Sequence, residues 1–423
     1  MTATDRIVFD GVLVIGAGLA GLSAALRLTE AGHRVVIYEA GPQAGGRCRS
    51  YFDRELGLTI DNGNHLLLSG NRAAMRYLDA FAGRAAMVGP AEPTFPFIDL
   101  TNDQRWAVRP NRGRWPWWVL SRARRVPETR PINYLALRRI LRIRDDTSVY
   151  AMFRQENLYH PLVAPLTIAA LNTQPEQALA RLLAAVLRES LMAGGDACLP
   201  MFPRAGLSAG LVDPAVALAA ARGARFHFGR RIAALEIVGG IVTGLMATDG
   251  PIPLGPEDAV VLAVPPWVVS DLLPAVTVPG AFETIVNVHF RIEADPGPSG
   301  FIGLIGGTAE WVFVKPGHVS TTTSAAHRLA ESDAERIATA VWPNVRAALG
   351  LSGAMPPWRV VKERRATIVA TAVQERRRPP ARTELANLVL AGDWTDTGLP
   401  ATIEGAIRSG ETAASLLTGE DPG

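Results

Sequence analysis

Residues 12–21, with the sequence VLVIGAGLAG, decide the fold of this chain. They lead an apolar strand into the pattern Gly16-x-Gly18-x-x-Gly21, and a helix pattern and a second strand at residues 35–38 follow. The first glycine permits a tight turn, the second lets a pyrophosphate approach the backbone, and the third lets helix and strand pack closely. The phosphates then lie at the positive end of the helix. The segment predicts a Rossmann-like dinucleotide-binding unit.

An acidic residue, Glu39, ends the second strand eighteen positions after Gly21. At this place a carboxylate accepts hydrogen bonds from the ribose hydroxyls of the adenosine and disfavours a 2′-phosphate. The order of strand, helix, strand and acid therefore favours a dinucleotide other than NADP. The alternative is a glycine-rich turn in an unrelated α/β unit.

Length and composition limit the class of protein. A chain of 423 residues is long for one compact core, so we expect two domains. Two cysteines, Cys48 and Cys198, form no disulfide framework and suit a reducing cytoplasm. Residues 1–10 carry acids and lead directly into the glycine pattern, so we expect no secretory signal. With no apolar run of about twenty residues, we expect no transmembrane helix.

Arginines are concentrated in one part of the chain. Residues 105–144 contain twelve arginines and one acid, Glu128, and enclose the sequence WPWW at residues 115–118. Three interpretations are open: a nucleic-acid surface, a solvated basic face, or a segment that docks on a membrane surface. No nucleic-acid motif accompanies the run, and tryptophans beside cations suit an anionic lipid surface. We therefore predict membrane docking and no nucleic-acid partner.

The pattern along the chain predicts a dinucleotide domain interrupted twice. We expect an α/β fold in which residues 1–75, 205–280 and 357–423 form the Rossmann-like domain. Residues 76–204 and 281–356 would form an inserted α+β substrate domain. Strands are expected at residues 226–228, 232–237, 242–246, 259–264, 285–292, 310–314 and 387–391, and helices at 178–192 and 402–417.

A second motif lies near the end of the chain. Residues 388–393, LVLAGD, form a strand ending at Gly392 and Asp393, and residues 398–406, GLPATIEGA, begin a helix. A second turn of this kind suits FAD, a cofactor long enough to need both ends of the sequence. Asp393 would bind ribityl hydroxyls, and the helix beginning near Ala401 would stabilise negative charge on the reduced flavin. The alternative is a plain strand–turn–helix.

Together these motifs and the GGR turn at residues 45–47 resemble the flavin amine oxidase/phytoene desaturase superfamily. Within it, four segments resemble the hydroxysqualene dehydroxylases of hopanoid biosynthesis. These are residues 60–71 (IDNGNHLLLSGN), 160–162 (HPL), 170–173 (ALNT) and 285–290 (IVNVHF).

The resemblance implies non-covalent FAD, because no cysteine lies at the position used for covalent attachment, and we expect no metal. Gly63, Asn64 and His65 would approach the isoalloxazine, and Ile232 would hold the adenine. Asn287 takes the place of the lysine that amine oxidases position near flavin N5. The full expected set of cofactor contacts is Gly16, Gly18, Leu19, Ala20, Gly21, Glu39, Ala40, Gly46, Arg47, Gly63, Asn64, His65, Ile232, Gly392, Asp393, Pro400, Ala401, Thr402 and Ile403.

The implied reaction replaces the hydroxyl of hydroxysqualene with hydride, giving squalene. His65 is the first candidate for the acid that releases the hydroxyl, although it could merely form hydrogen bonds, and Asn287 and His289 are weaker candidates. Two alternatives are a carotenoid-type desaturase or isomerase and a non-catalytic prenyl-binding protein. The sequence shows no electron donor.

The expected partners are an apolar isoprenoid and a membrane surface, and upstream enzymes of the squalene pathway are candidate partners. The expected location is the cytoplasm, on the inner face of the membrane.

Overall fold

Five parallel strands form the sheet predicted from the glycine pattern. The computed structural model describes residues 9–419. The prediction that residues 1–10 are not a secretory signal therefore lies largely outside the described residues. The strand Asp258–Leu262 is buried along almost its whole length, as its continuous apolar run predicts for a central parallel strand. Across the sheet the order is Arg225–His227, Arg34–Tyr38, Gly11–Ile15, Asp258–Leu262 and Leu388–Leu390.

Each face of this sheet is covered differently. The helices Leu19–Glu30, Asp213–Ala221 and Ile403–Thr418 pack on one face. An antiparallel sheet of three strands, Ile232–Val238, Ile241–Ala247 and Gly250–Pro253, packs on the other.

The first and last helices lie in direct contact. Ser23 Oγ donates a hydrogen bond to the Ile407 carbonyl at 2.9 Å. A β-carbon at Gly410 would lie 2.2 Å from the Ala20 carbonyl oxygen, so only glycine permits this approach. The two ends of the sequence therefore complete one layer.

A second, mainly antiparallel sheet of seven strands forms the other large layer. Helix Ala334–Leu349 packs on it through Ile337, Val341 and Val345. In order the strands are Trp358–Ile368, Phe282–Phe290, His318–Thr323, Trp311–Lys315, Phe301–Ile305, Phe95–Asp99 and Gln104–Val108.

The remaining elements are short. Two small sheets contain Ser50–Asp53 with Leu58–Asp61, and Leu67–Leu68 and Met87–Val88 on either side of Pro200–Pro203. The other α-helices are Arg72–Ala80, Ala136–Ile140, Val149–Phe153, Ala164–Leu171, Ala180–Glu189, Pro266–Leu272 and Ala372–Glu375. Shorter 3₁₀ and π turns are Gly83–Ala86, Trp117–Leu120, Pro131–Leu135, Tyr159–Val163, Gly195–Ala197, Ser208–Val212 and Leu329–Glu331.

The α/β fold and the strands expected from the sequence are confirmed, with ends that differ by a few residues. Two boundaries of the expected domains are wrong. Strand Trp358–Ile368 pairs with Phe282–Phe290 in the seven-stranded sheet, so the segment from 357 does not begin the dinucleotide domain. Helix Arg72–Ala80 crosses the boundary at 75 and packs in the dinucleotide core through Met75 and Leu78. Between residues 9 and 419, no helix is long and apolar enough to cross a membrane.

Candidate functional site

A cavity of about 1100 Å³ opens beside the glycine turn and extends towards the seven-stranded sheet. Gly16 has a φ of +104°, and a β-carbon there would lie 2.4 Å from the Ala263 carbonyl oxygen. Around Gly18, in contrast, a β-carbon would meet nothing within 4 Å, and no side chain caps the helix that follows. The amides at this helix end are therefore open to an anion.

Glu39 lies on the same wall at the end of strand Arg34–Tyr38. Its two carboxylate oxygens accept hydrogen bonds from the amides of Ala17 at 2.8 Å and Gly41 at 2.7 Å. These bonds fix the carboxylate beside the glycine turn. Ile232 lies on the wall near this end, as the sequence predicts.

The two distant motifs meet across the cavity. Arg47 Nη2 donates to Asp393 Oδ1 at 2.6 Å, and Arg47 Nη1 donates to the Ala366 carbonyl at 2.6 Å. Thr402 caps the last helix by accepting a hydrogen bond from the Gly405 amide at 3.1 Å. The helix start at Ile403 lies in the wall, so a second helix N-terminus borders the cavity.

A buried arginine that the sequence analysis missed supports this side of the site. The Arg378 guanidinium is fully buried and donates to the carbonyls of Asp393, Thr395 and Leu399. It also pairs with Glu375 at 3.0 Å. One side chain thus holds the loop between strand Leu388–Leu390 and the last helix. Only its position in the ERRR run distinguishes it in the sequence.

Not every expected site residue lies on the wall. Gly21 packs against the Gly16 carbonyl and does not face the cavity. Gly63, Asn287 and His289 also lie off the wall. The fully buried Asn287 donates to the Asn62 carbonyl at 3.3 Å and accepts from Thr322 Oγ1 at 2.9 Å. Asn287 therefore holds the turn that carries Asn64 and His65 and does not itself face the reacting groups.

Asn64 lies on the wall with an unsatisfied oxygen. Its Nδ2 donates to Ser320 Oγ at 2.8 Å and to Thr322 Oγ1 at 3.0 Å. Its Oδ1 is buried and has no hydrogen-bond partner among residues 9–419. A buried acceptor of this kind carries a desolvation penalty unless a ligand or water completes it. The turn therefore suits a ligand with a donor at this point.

His65 also lies on the wall, as the sequence predicts. Burial lowers the pKa of His65 to about 4, which outweighs the attraction of Asp61 for the protonated ring. The imidazole is then neutral near pH 7. The role of His65 as the acid that releases the hydroxyl stays a prediction. The neutral ring can still position a ligand by hydrogen bonding.

His289 belongs to a buried polar cluster behind the wall. In this cluster Lys315 Nζ pairs with Asp61 Oδ2 at 2.6 Å, with both side chains buried. The His289 ring lies 5.7 Å from that of His318. Burial, reinforced by His318 and Lys315, lowers the pKa of His289 to about 3, so this ring too is neutral near pH 7. Asp61 also binds the Leu207 amide and Ser50, so the cluster joins several segments.

The far part of the cavity is an apolar chamber that the sequence analysis did not resolve into residues. Its walls come from the helices around residues 162–191 and from the seven-stranded sheet. Because these elements are distant in sequence, only the apolar face of helix Ala180–Glu189 signalled their role. Representative wall residues are Phe97, Leu162, Leu166, Leu187, Trp311 and Phe313.

These features fit FAD. An uncapped helix end beside an open glycine, a fixed carboxylate and a second helix N-terminus match the phosphates, ribose and flavin of a long dinucleotide. The unsatisfied Asn64 oxygen lies along the same cavity. The expected contacts other than Gly21 and Gly63 all lie on this wall.

Comparison with known proteins identifies relatives over almost the whole chain. The family model for flavin containing amine oxidoreductases matches residues 19–418. Hydroxysqualene dehydroxylase from Sinorhizobium fredii is 47% identical over 97% of this chain and 98% of its own length. The protein of that name from Rhodopseudomonas palustris is 48% identical over 96% and 98%. That from Zymomonas mobilis is 42% identical over 95% and 98%.

Solved structures with low identity share the fold. An oxidoreductase from Methanosarcina mazei superposes with a TM-score of 0.71 at 16% identity, covering 95% of this chain and 99% of that one. Putrescine oxidase bound to putrescine gives a TM-score of 0.70 at 14% identity, covering 97% and 99%.

Proposed function

Because this chain belongs to the flavin containing amine oxidoreductases, and among them to the hydroxysqualene dehydroxylases, we propose that it converts hydroxysqualene to squalene. The chain is an FAD-dependent oxidoreductase. The observation that carries the substrate proposal is the single cavity that joins the dinucleotide-binding turn to an apolar chamber. A long isoprenoid suits such a chamber, where few polar groups would remain unpaired.

The reaction requires three contributions. When bound and reduced, FAD supplies a hydride. The C–O bond of the substrate breaks with its electron pair on oxygen, the oxygen takes up a proton and leaves as water, and the carbon receives the hydride. The chamber residues exclude bulk water, so that the carbon centre meets hydride before it meets water. Glu39, Arg47 and Asp393 would hold the cofactor.

Anaerobic incubation of the purified holoenzyme with reduced FAD and hydroxysqualene tests this proposal. We expect squalene to form in proportion to flavin oxidised. A desaturase would instead reduce oxidised FAD with a carotenoid precursor and leave hydroxysqualene unchanged. A protein that bound the isoprenoid but retained no flavin would support the non-catalytic alternative.

Replacing Glu39 with alanine is expected to weaken FAD binding by about tenfold or more, since a hydrogen bond to a charged group contributes about 1.5–3 kcal/mol. The measurement is a flavin fluorescence titration of the apoprotein. Glu30→Ala, which removes an exposed carboxylate from the first helix, is the control. An unchanged dissociation constant in Glu39→Ala would contradict the assigned role.

We further propose that the arginine-rich segment, residues 105–144, docks on an anionic membrane surface through residues 109–135. The exposed apolar side chains of this docking segment are Trp115, Trp117, Leu120, Ile132 and Leu135. Arg112, Arg114, Arg122 and Arg130 are exposed beside them, and none forms an ion pair within residues 9–419. Exposed aromatic rings beside unpaired cations suit the headgroup region of an anionic bilayer.

The position of the docking segment also suits an isoprenoid that is stored in lipid. Pro110 lies in the cavity wall, and the adjacent Asn111 side chain binds the Trp115 carbonyl and the Trp118 amide. Trp118, which the sequence placed among the lipid-facing rings, is instead buried against Tyr134 with ring centroids 5.0 Å apart. Docking therefore depends on Trp115 and Trp117.

The double variant Trp115→Ser/Trp117→Ser is expected to weaken binding to vesicles of phosphatidylglycerol and phosphatidylcholine by about tenfold or more. Burial of one large apolar side chain contributes about 1.5–3 kcal/mol. Phe52→Ser, which removes an exposed ring from another surface, is the control. Sedimentation with vesicles is the measurement, and equal sedimentation of double variant and wild type would contradict docking.

A further inference from the structure

A partly buried carboxyl lies next to the wall of the apolar chamber. Glu310 precedes strand Trp311–Lys315, and its Oε2 accepts a hydrogen bond from the Ser324 amide at 2.8 Å. The Ser324 hydroxyl also interacts with this carboxyl. Ser324 itself is part of the chamber wall. The Ser324 hydroxyl at the wall therefore lies in front of the Glu310 carboxyl.

Within residues 9–419, no cation pairs with this carboxyl. Ser324, which follows strand His318–Thr323, is the one described residue whose hydrogen bonds stabilise the charge of Glu310. Burial therefore dominates and raises the pKa of Glu310 to about 7. Around neutral pH a large share of the Glu310 carboxyls is protonated, whereas the His65 and His289 rings are neutral.

Other polar groups surround Ser324 at the same place on the wall. Asn172 has a left-handed backbone with φ of +47°; its Nδ2 donates to Thr367 Oγ1 at 2.9 Å. Its Oδ1 accepts from the Ala325 amide at 2.6 Å. Thr322, Asn172 and Thr367 all lie on the wall. In a chamber that is otherwise largely apolar, this group of polar side chains can bind a hydroxyl group.

The other carboxylates of the cavity are already engaged by donors. Asp393 pairs with Arg47, and Glu39 binds two backbone amides. Glu363 accepts from Asn62 Nδ2 at 3.0 Å and lies in the field of Arg47. Glu189 and Glu404 share Arg408. Unlike Asp393, Glu189 and Glu404, Glu310 forms no ion pair within residues 9–419, and burial raises its pKa.

We propose that the substrate hydroxyl binds at Ser324 and that Glu310, acting through the Ser324 hydroxyl, supplies the proton with which it leaves as water. This inference rests on the proposed dehydroxylation. The Ser324 O–H bond breaks towards the leaving oxygen, which carries away the C–O electron pair, and the Glu310 proton replaces it. The carbon takes hydride, and Glu310 then regains a proton from solvent. Glu310 is a positioning residue, since Ser324 makes the contact.

Single-turnover formation of squalene by reduced holoenzyme, followed from about pH 6 to 9, tests the proposal. In the wild type the rate should fall as pH rises through about 7, because only the protonated carboxyl donates. In Glu310→Gln the rate should fall by about 10²–10⁴-fold and should no longer depend on pH. Glu310→Asp should retain part of the rate and part of its pH dependence. Ser324→Ala should form squalene more slowly than the wild type. The control, Glu283→Gln, alters a partly buried carboxyl on the same sheet that lies off the wall.

An infrared difference titration of the holoenzyme gives a second readout that does not depend on turnover. A protonated carboxyl band that disappears near pH 7 should be present in wild type and Ser324→Ala and absent from Glu310→Gln. The wild-type spectrum tests the proposal even if Glu310→Gln fails to retain FAD or to fold. If the wild type shows no such carboxyl band between about pH 5 and 8, the proposal is overturned.

The outcomes separate this inference from the proposed function. Failure of the wild type to form squalene would refute the dehydroxylation itself. Squalene formation with an unchanged rate and pH profile in Glu310→Gln would refute only the role of Glu310. If His65→Gln or Glu363→Gln, instead of Glu310→Gln, abolished the pH dependence of the rate, that result would likewise overturn the role of Glu310.

Discussion

Replacement of Arg378 with alanine is expected to lower the free energy of unfolding by about 3–5 kcal/mol, because removing one member of a buried ion pair leaves the other uncompensated. Here Glu375 would lose its partner at 3.0 Å, and three backbone carbonyls would lose their donor. The freed loop carries Asp393, so FAD retention should fall as well. Urea unfolding of the apoprotein and flavin content after dialysis are the measurements.

The neighbouring arginine provides a matched control for this experiment. Arg376 pairs with Asp146 on the surface, where both side chains are more than half exposed. Exposed pairs contribute about 0–1 kcal/mol, so Arg376→Ala should unfold almost like the wild type. Equal destabilisation by the two variants would show that the buried network around Arg378 contributes no more to the free energy of unfolding than the exposed pair of Arg376.

Replacement of Lys315 with methionine is expected to be similarly damaging, with a loss of about 3–5 kcal/mol. The variant leaves the Asp61 carboxylate buried with only Ser50 and the Leu207 amide as partners. The double variant Asp61→Asn/Lys315→Met should recover much of the loss, since no isolated charge remains. The control is Lys362→Met, which alters the other of the two lysines in the chain. Little recovery in the double variant would contradict this explanation.

This pair also predicts a pH dependence. Burial opposes the charge of Asp61, but Lys315, the Ser50 hydroxyl and the Leu207 amide together outweigh it and hold the pKa of Asp61 below its ordinary value. A lowered pKa in the folded state stabilises the fold above about pH 4 and ceases to do so as pH falls through the folded-state value. Acid unfolding of Asp61→Asn/Lys315→Met should therefore be shallower in this range than that of the wild type.

Local patterns predicted the dinucleotide half of the molecule well. The glycine turn, Glu39 and the LVLAGD strand each carry their meaning within about ten residues, because backbone geometry fixes their chemistry. The substrate half was less accessible. Strand Trp358–Ile368 has no local feature that assigns it to one sheet or the other, and only its pairing with Phe282–Phe290 decides.

Protonation states were the other property that the sequence could not predict. The sequence shows that His65 follows Gly63 and Asn64, but not that burial keeps its ring neutral. Glu310 stands in an unremarkable hairpin, and its chemistry depends on the absence of a nearby cation, a property of the folded molecule. The same holds for Trp118, whose neighbours in sequence are exposed while it is buried.

The contact between the first and last helices has a consequence for how the protein is made. Strand Gly11–Ile15 and helix Leu19–Glu30 leave the ribosome early, yet strand Leu388–Leu390 and helix Ile403–Thr418 follow only after several hundred further residues. Chains fold from the N-terminus during synthesis, and distant pairings form slowly. The nascent chain must therefore keep an unfinished apolar layer, including the face around Ala20 and Ser23, until these distant elements have emerged. The cofactor can be held only after that point, and a chain cut short before Leu388 would have most of the residues described here but no finished flavin site.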